Sequence, residues 1–336
     1  MRDGLNPVRL QLPHPGQVPH GQGTHSQGPR SPGADARWPT VLDYLVARFP
    51  EDAARLREKV AGGEVVDEIG RPLHEGSAFV PGALVFLYRD APVEARVPFE
   101  IDVLHHDDDL LVVDKPHFLA STPRGAYVVE SAVVRLRRQL DLPEISPAHR
   151  LDRITAGVLV FTTRRAVRGA YQRLFAERTV HKTYEAVARV DPARTFPLTV
   201  RSRIVKEAGV LAAQEIPGEP NSESLIDLVA VRGEDTGPRL GRYVLRPRTG
   251  KTHQLRLHMA SLGLAICNDN LYPQFYDVAP DDYSAPLQLL ARSIEFTDPL
   301  TGHRREFTSR RQLSLWPGES SVSSLEHTDL AVLAQP

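Results

Sequence analysis

Residues 149–163 read HRLDRITAGVLVFTT, a charged stretch that leads into an apolar run. The run GVLVFTT (157–163) predicts a buried strand, because a strand covered on both faces is apolar along its whole length. Before it, Asp152 stands between Arg150 and Arg153, whose positive charges favour the ionised carboxylate. Such an aspartate can act as a nucleophile, as a base, or as half of a structural ion pair.

Strands and helices alternate irregularly on both sides of this stretch. Helices are predicted at residues 129–140, 165–178 and 252–263. Further strands are predicted at residues 110–114, 183–190, 199–206, 225–231 and 241–247. Several consecutive strands without a regular helix between them favour an α+β fold with a mixed sheet over a regular parallel one.

Composition divides the chain into four parts. Residues 1–37 contain six Gly and six Pro and few large apolar residues, which predicts a disordered tail. Residues 38–96 show two short helices and a hairpin, and residues 97–316 form the main domain. The Ser-rich residues 317–336 predict a second flexible tail. The 38–96 pattern resembles a small RNA-binding module of a ribosomal protein, and a purely structural N-terminal cap fits it equally well.

The overall composition excludes several classes of protein. The 336 residues include one cysteine, Cys267, so neither an intrachain disulfide nor a cysteine-based zinc site can form. No apolar run is long enough to cross a membrane, and the N-terminus lacks the basic and apolar regions of a secretory signal. We therefore expect a cytoplasmic protein, and the absence of a heptad pattern favours a monomer.

Positive charge is concentrated in two segments, although the formal net charge is only −1. Residues 146–186 hold eight Lys and Arg against three acidic residues, and residues 239–260 hold six and no acidic residue. The rest of the chain keeps 27 basic against 39 acidic residues. Two basic segments on an acidic background indicate a polyanion-binding site, and scattered solvated arginines are the alternative interpretation.

Two groups of residues raise the question of a metal. His105 to Asp109 read HHDDD, but they lie between two predicted strands, where polar turn residues are expected. His253 and His258 are five residues apart on a predicted helix, which is not the spacing of a metal-binding pair, and no third ligand is nearby. Lys251 and Arg256 beside them favour contact with RNA or phosphate, and we predict no metal site.

Five blocks of sequence occur in the order typical of one enzyme family. The stretch HRLDRITAG (149–157) resembles the signature of the RluA-type pseudouridine synthases. Four further blocks resemble other parts of the same family, namely DDDLLVVDKPHFL (107–119), KTYEAV (182–187), PRTGKTHQLRLHMASLGLAICNDNLYP (247–273) and LQLLARSIEFTDP (287–299). Together the blocks extend from about residue 100 to 310.

This resemblance implies an isomerase that converts uridine within ribosomal or transfer RNA to pseudouridine, with no cofactor and no metal. It also implies the pseudouridine synthase fold, which has a mixed, mainly antiparallel sheet, peripheral helices and a basic active-site cleft. The reaction breaks the bond from ribose to N1 of uracil, turns the ring and rejoins it through C5. An aspartate carboxylate attacks the substrate or supports loss of the base.

The resemblance also implies the catalytic residues. Asp152 matches the catalytic aspartate, and Arg256 matches the arginine that pairs with it. Tyr184 matches the aromatic residue that stacks near the uracil and takes part in proton transfer.

Substrate contacts follow from the same blocks. Leu289 matches the apolar residue that packs on the base, and Arg150 matches the arginine that contacts RNA near the vacated nucleotide position. Lys251, His253 and Lys115 are further candidates for substrate binding. The block at 247–273 departs from the family pattern, since Lys251 replaces a common Arg and Asn268 and Pro273 replace glycines. In the other blocks, Ala156 replaces a common Ser and Leu290 a common His.

Two alternatives belong to other classes. A non-catalytic RNA-binding protein could keep the same scaffold, although Asp152, Tyr184 and Arg256 are all present. A metal-dependent RNA hydrolase using the HHDDD run is a weaker alternative, and it predicts loss of activity with a chelator.

Overall fold

The computed structural model describes residues 4–14, 38–88, 90, 94–207, 209–233 and 239–318. These residues fall into two compact units. The first holds the described residues up to 96 together with residues 120–145 and 206–211. The second holds residues 97–119, 146–205 and the described residues from 212 onward. The predicted domain at 97–316 is therefore interrupted, because residues 120–145 pack with the first unit.

The first unit contains a three-stranded antiparallel sheet and three helices. Its elements are β1 (Val8–Gln11), α1 (Val41–Arg48), α2 (Ala53–Ala61), β2 (Val65–Asp67), β3 (Leu84–Leu87) and α3 (Ala132–Leu140). Helix α1 begins at Thr40, whose hydroxyl accepts from the Asp43 backbone while the Asp43 carboxylate accepts from the Thr40 backbone. This reciprocal cap satisfies amides that would otherwise lack partners at the helix start.

Strand β1 corrects the prediction of a disordered tail at residues 1–37. Val8–Gln11 pair with β3 in the order β1-β3-β2, and Leu12 lies in the core of this unit with Leu45 and Val65. The Gly4 carbonyl accepts a hydrogen bond of 3.1 Å from Arg137 on α3. Composition alone does not reveal this pairing, because a strand of four residues is stabilised by pairing with its neighbour and not by its own residues. Residues 1–3, 15–37 and 319–336 of the two predicted tails lie outside the described residues.

The second unit is built on one large sheet. Its strands are β4 (Asp102–His106), β5 (Leu110–Lys115), β6 (Ser146–Pro147), β7 (Ala156–Thr162), β8 (His181–Arg189), β9 (Leu198–Val205), β10 (Gln214–Ile216), β11 (Ser222–Arg232), β12 (Leu240–Pro247), β13 (Leu289–Thr297) and β14 (Arg304–Thr308). The main order is β10-β9-β11-β12-β8-β13-β7-β5-β4, with β14 on β13 and β6 on β7. Among these strands, only β7 and β13 pair in parallel. The structure therefore confirms the predicted α+β fold with a mixed, mainly antiparallel sheet.

The central strands explain the apolar runs of the sequence. Every residue of β5 and β7 is buried, so neither strand shows the alternation of a half-exposed strand. Helix α4 (Arg168–Ala176) packs Tyr171 into the core formed with Val158 and Val160. Helix α5 (Gln254–Ser261) packs Leu255 and Met259 into a second core that includes residues of β8, β12 and β13.

Three adjacent strands in the middle of the sheet carry or adjoin three of the predicted site residues. Strand β7 starts directly after the loop that carries Asp152, β8 carries Tyr184, and β13 carries Leu289. In the β13–β8 register Leu289 pairs with Ala186 and Ala291 with Tyr184. No helix in the described part of the chain is long and apolar enough to cross a membrane.

Candidate active site

The loop that carries Asp152 connects β6 to β7, and a hydrogen bond between two of its own backbone groups closes it. The Asp152 carbonyl accepts from the Thr155 amide at 3.1 Å, which forms a tight turn. Thr155 is buried and the Asp152 side chain is 29% exposed, so the carboxylate can meet a ligand. The partly exposed loop that carries Asp152 is therefore followed directly by the buried strand β7.

The turn before α5 is fixed by Gln254. Its buried side-chain oxygen accepts from the Lys251 amide at 3.0 Å and from the Thr249 hydroxyl at 2.7 Å. Its amide nitrogen donates to the Glu223 carbonyl and to the Ser224 hydroxyl, both on β11. This glutamine therefore ties the Thr249–His253 turn to the sheet and sets the position from which α5 starts.

One cavity brings together seven of the eight predicted site residues. Its lining includes Arg150, Asp152, Tyr184, Lys251, His253, Arg256 and Leu289. The empty volume of this cavity is about 510 Å³. Two of its lining residues, Arg150 and Lys251, are exposed to solvent. The motif residues come from the Asp152 loop, β8, the α5 region and β13, so only the tertiary structure makes them neighbours.

The carboxylate of Asp152 faces two nitrogen-bearing side chains. Arg256 Nη1 lies 3.7 Å from Asp152 Oδ2, and His253 Nε2 lies 4.0 Å from Asp152 Oδ1. Both distances allow an ion pair but are longer than a direct hydrogen bond. The predicted proximity of Arg256 to Asp152 is therefore present in the structure.

Arg256 makes its shorter contacts with another carboxylate, that of Asp269. Its Nε and Nη2 donate to the two Asp269 oxygens at 2.7 and 2.6 Å, and both side chains are buried. Asp269 Oδ1 also accepts from the backbone amides of Leu271 and Tyr272. A bidentate pair of this kind fixes the plane of the guanidinium and leaves Nη1 for Asp152. The sequence patterns did not single out Asp269, although Asp269 lies between Asn268 and Asn270 in the block at residues 247–273.

His253 is held by Tyr272. The Tyr272 hydroxyl donates to the Ala213 carbonyl at 2.9 Å and accepts from the Ala213 amide at 2.8 Å. Since its only proton is thus used, the hydroxyl accepts from His253 Nδ1 at 2.9 Å, which assigns a proton to Nδ1. His253 itself has left-handed backbone angles (φ 57°), so the turn directs its Nε2 to within 4.0 Å of Asp152.

Tyr184 lines the cavity with a neutral phenol. Burial raises the pKa of its hydroxyl, and the nearby negative charge of Asp152 raises it further. The group stays protonated at neutral pH, so its ring can pack on a base and its hydroxyl can donate a hydrogen bond.

Lys182 also lines this cavity, and sequence reasoning did not select it. Its Nζ donates to the Thr249 carbonyl at 3.0 Å, and burial lowers the pKa of the amine to about 8. The sequence could have identified Lys182 as a neighbour of the site, because it lies two residues before Tyr184 and side chains two residues apart on a strand share a face.

Lys115 does not line the cavity, contrary to the prediction of a substrate contact. Its side chain is fully buried, and Nζ donates to the carbonyls of Pro116, Leu119 and Arg153. Burial lowers the pKa of this amine well below its usual value. These three carbonyls hold Nζ inside the protein, where Lys115 braces the chain after Asp152.

Two other histidines, His149 and His258, have structural partners. His149 is stacked on Phe175, and its Nε2 accepts from the Val160 amide. His258 is fully buried and lies within 3.1 Å of the hydroxyls of Ser202 and Ser222. Burial lowers the pKa of His149 to about 3 and that of His258 to about 4, so both are neutral at physiological pH.

The HHDDD run ends β4 and forms the turn to β5. Asp107 accepts from the backbone amides of Asp109 and Leu110, contacts His105 at 2.7 Å and pairs with Arg305 at 3.2 Å. Among the described residues, no group of three or more His, Cys, Asp or Glu side chains is placed to hold a metal ion.

Comparison with known proteins assigns this chain to a class of enzyme. Residues 109–261 match the family described as RNA pseudouridylate synthase. The chain also resembles a human structure, RNA Pseudouridylate Synthase Domain Containing 1, with a TM-score of 0.50 and 23% identity over 65% of this chain and 86% of that one. The chain is therefore an RNA pseudouridine synthase, an isomerase that acts on RNA.

Its curated relatives identify the family within that class. The Dual-specificity RNA pseudouridine synthase RluA of Salmonella typhi is 32% identical over 220 residues, which cover 61% of this chain and 90% of the relative. The protein of the same name from Haemophilus influenzae is 32% identical over 244 residues, covering 66% of this chain and 98% of the relative. This chain belongs to the RluA family, as the five sequence blocks predicted.

Proposed function

We propose that this enzyme isomerises a uridine of ribosomal or transfer RNA and that Asp152 is its catalytic carboxylate. The observation that carries the proposal is the position of Asp152 in the cavity, 3.7 Å from Arg256 and 4.0 Å from His253. No other carboxylate belongs to the described residues that line this cavity. Arg256 and His253 each bring a side-chain nitrogen to one oxygen of Asp152, and a carboxylate held in this way can act as the nucleophile.

The reaction conserves atoms and electrons. The bond from ribose C1′ to uracil N1 breaks and a bond from C1′ to C5 forms, while a proton leaves C5 and one is gained at N1. Asp152 assists by a transient bond either to the ribose or to the base, and this bond breaks again before product leaves. Covalent assistance of this kind divides one difficult step into two easier ones.

Access to the glycosidic bond requires the uridine to leave its stack. Extraction of a base costs a few kcal/mol, which contacts inside the pocket must offset. Tyr184 and Leu289 line the cavity as the surfaces for the uracil ring. Arg150 and Lys251, both exposed, contact the flanking phosphates, and His253 completes the environment of Asp152.

A structured RNA is the expected substrate. The relatives in Salmonella and Haemophilus are named dual-specificity RNA pseudouridine synthases, and this chain covers 90% or more of each. We propose ribosomal or transfer RNA as the class of target, recognised through its shape and through bases exposed in loops.

The test is a substitution of the carboxylate alone. Asp152→Asn should abolish conversion of uridine to pseudouridine while RNA affinity stays within about twofold, because phosphate contacts come from Lys and Arg. Asp141→Asn is the matched control, since Asp141 is exposed at the end of α3 in a left-handed conformation that Asn tolerates.

The measurement is a transcriptome-wide pseudouridine map of deletion cells that express wild type or either variant. Sites restored by wild type and by Asp141→Asn, but not by Asp152→Asn, would support the proposal and name the substrate. If Asp152→Asn restored the sites, Asp152 would be a structural ion-pair member. If wild type itself produced no pseudouridine on any RNA, the non-catalytic RNA-binding alternative would replace this proposal.

A further inference from the structure

The amine of Lys182 lies in the wall of the cavity that holds Asp152, and it has no role in the reaction described above. Lys182 is half-buried on β8, two residues before Tyr184, so the two side chains are on one face of the strand. The amine and the ring of Tyr184 therefore belong to the same wall of the cavity.

One described hydrogen bond holds this amine in place. Nζ donates to the Thr249 carbonyl at 3.0 Å. The Thr249 hydroxyl accepts from the Glu223 amide at 3.0 Å and donates to Gln254 at 2.7 Å, so Thr249 has a fixed position. An ammonium group can donate three hydrogen bonds, and no other described residue accepts one from Lys182, so two N–H groups are left for a ligand.

Two other lysines with buried side chains have the partners that Lys182 lacks. Lys59 pairs with the carboxylates of Asp90 at 2.8 Å and Glu64 at 3.5 Å. Lys115 donates to three backbone carbonyls. In the described part of the chain, no carboxylate lies within ion-pair distance of the Lys182 amine. A buried positive charge of this kind is costly until an anion pairs with it.

The side chains around the amine do not supply that anion. The cavity lining contains four Lys and Arg side chains and one carboxylate, that of Asp152, which faces Arg256 and His253. Burial alone lowers the pKa of the Lys182 amine to about 8, so no neighbouring negative charge offsets the cost of burial. Burial, and after it the charge of Lys182, lowers the pKa of His149 to about 3, so this neighbour is neutral. The missing negative charge must therefore come from a ligand.

Phosphate is the anion that an RNA substrate brings to this place. An uncharged uracil oxygen can accept a hydrogen bond, but it does not neutralise an ammonium group. A Cβ added at Gly250 would lie 3.8 Å from Nζ, so the glycine leaves that side of the amine uncovered. Lys182 is less exposed than Arg150 and Lys251, the residues assigned to the flanking phosphates. We propose that the Lys182 ammonium binds the 5′ phosphate of the target nucleotide itself, once its base has entered the cavity.

This inference rests on the proposed function, because it places the target nucleotide in the cavity with Asp152. It adds to the contacts of Arg150 and Lys251 a third one, which holds the flipped nucleotide instead of its neighbours. A phosphate held at a fixed point also orients the ribose, whose C1′ must face Asp152. Such positioning of the reacting atoms lowers the barrier to the chemical step.

The contact couples RNA binding to a proton. An anion beside Nζ favours the ammonium form, so the pKa of Lys182 is higher in the complex than the value of about 8 in the free protein. The stabilisation is therefore complete below pH 8 and is lost as the pH rises from about 8 towards the pKa of the complex.

Other charged and titratable groups share this cavity. They are His149, Arg150 and Asp152 of the loop before β7, Tyr184 of β8, Lys251 and His253 of the turn before α5, and Arg256 of α5. Lys182→Arg keeps a positive charge at every pH used and leaves these groups unchanged, so it isolates the titration of Lys182.

The first experiment compares uridine 5′-monophosphate (UMP) with uridine as ligands of the full chain by NMR titration. We expect wild type to bind UMP roughly ten- to 100-fold more tightly than uridine, the effect of one charge-assisted hydrogen bond. Lys182→Met should remove most of this preference. Lys206→Met is the matched control and should keep it, because Lys206 donates to the carbonyls of Glu207 and Val210 and does not line the cavity.

The same titrations at pH 7 and pH 9 test the coupling to a proton. The preference of wild type for UMP over uridine should fall about three- to tenfold between these two pH values, since the free amine loses its proton near pH 8. Lys182→Arg should bind UMP more tightly than uridine at both pH values. This variant also shows that the loss in Lys182→Met is a loss of charge and not of folding.

Three results would overturn the proposal. They are UMP binding that is no tighter than uridine binding, a preference for UMP that survives Lys182→Met, and an equal loss of preference with Lys206→Met. Because these titrations need no catalysis, they give an answer even if the proposed function fails. Formation of pseudouridine by a protein whose phosphate preference is independent of Lys182 would refute this inference alone.

A second readout uses an RNA that wild type modifies. Lys182→Met should raise KM about tenfold with a smaller fall in kcat, since the phosphate contact is made in the ground state as well as in the transition state. A neutral methylphosphonate on the 5′ side of the target uridine should raise KM for wild type and leave KM for Lys182→Met unchanged. A fall in kcat with an unchanged KM would assign Lys182 to the uracil released by bond cleavage and would overturn the phosphate contact.

Discussion

At the scale of single residues, Asp152 and Asp269 share one guanidinium. Asp269 takes the two closest contacts of Arg256, at 2.7 and 2.6 Å, and Asp152 lies 3.7 Å from the remaining nitrogen. The Arg256–Asp269 pair is nearly neutral in sum, so Asp152 faces a fixed N–H group more than an excess positive charge. The second partner, His253, can supply a full positive charge when its Nε2 is protonated.

We predict that Asp269→Asn lowers turnover by roughly 100-fold with little change in RNA affinity. The amide oxygen can accept one guanidinium hydrogen bond instead of two, so Arg256 turns and its Nη1 leaves the position beside Asp152. Displacements of about 1 Å in an active site cost rates of this order. Single-turnover kinetics and a binding titration provide the measurement.

The matched control for Asp269→Asn is Asp277→Asn on the exposed loop that follows. It should behave as wild type in both assays. Equal turnover by Asp269→Asn and wild type would show that the bidentate pair does not position Arg256. A large fall in melting temperature would instead reveal a role in folding, so melting curves are recorded for both variants.

At the scale of elements, the parallel contact of β7 with β13 depends on Gly157. Ala291 pairs with Gly157, whose φ is +112°. A Cβ at this position would clash with the Ala291 backbone, whose nitrogen would be 2.7 Å away. The glycine therefore allows two strands to meet directly after the loop that carries Asp152.

We predict that Gly157→Ala destabilises the protein by more than about 3 kcal/mol, because backbone must move apart in a buried sheet. Gly263→Ala is the control. Gly263 also has a positive φ, of +76°, but no atom lies within 4 Å of its added Cβ, so about 1 kcal/mol is expected. Urea unfolding curves measure both values, and equal losses would refute the role of the close backbone contact.

Sequence patterns predicted some of the helices and strands and missed others. Long apolar or periodic runs predicted β5, β7, α4 and α5. The short strands β1, β6, β10 and β14 were missed. Strand β14 reads RREFT and gains its order from pairing with β13, which no local pattern of five residues can express.

At the scale of the whole molecule, the two basic segments carry less free positive charge than the count suggests. Arg164 pairs with Asp109, and Arg248 pairs with Glu223 at 3.3 Å. Glu223 also accepts from Arg201. Acidic residues from other parts of the chain therefore neutralise part of the positive charge of the two basic segments.

We predict that RNA affinity falls with salt and that Lys251→Ala reduces this salt dependence by about one phosphate contact. Lys251 is exposed at the cavity, so its ammonium is free to displace a counterion from RNA. Arg164→Ala is the control from the same kind of basic segment, because its guanidinium is already paired with Asp109. Equal salt slopes for the two variants and wild type would show that Lys251 makes no phosphate contact.

The sequence by itself determined the α+β class and the family, and it predicted seven of the residues that line the cavity with Asp152, because each motif lies within one local stretch of the chain. Only the tertiary structure decided the roles of Asp269, Lys182 and Lys115. Asp269 lies 13 residues after Arg256, and the Lys115 amine meets a carbonyl 38 residues away. Contacts between such distant residues depend on chain packing, and a pattern read along the chain does not contain it.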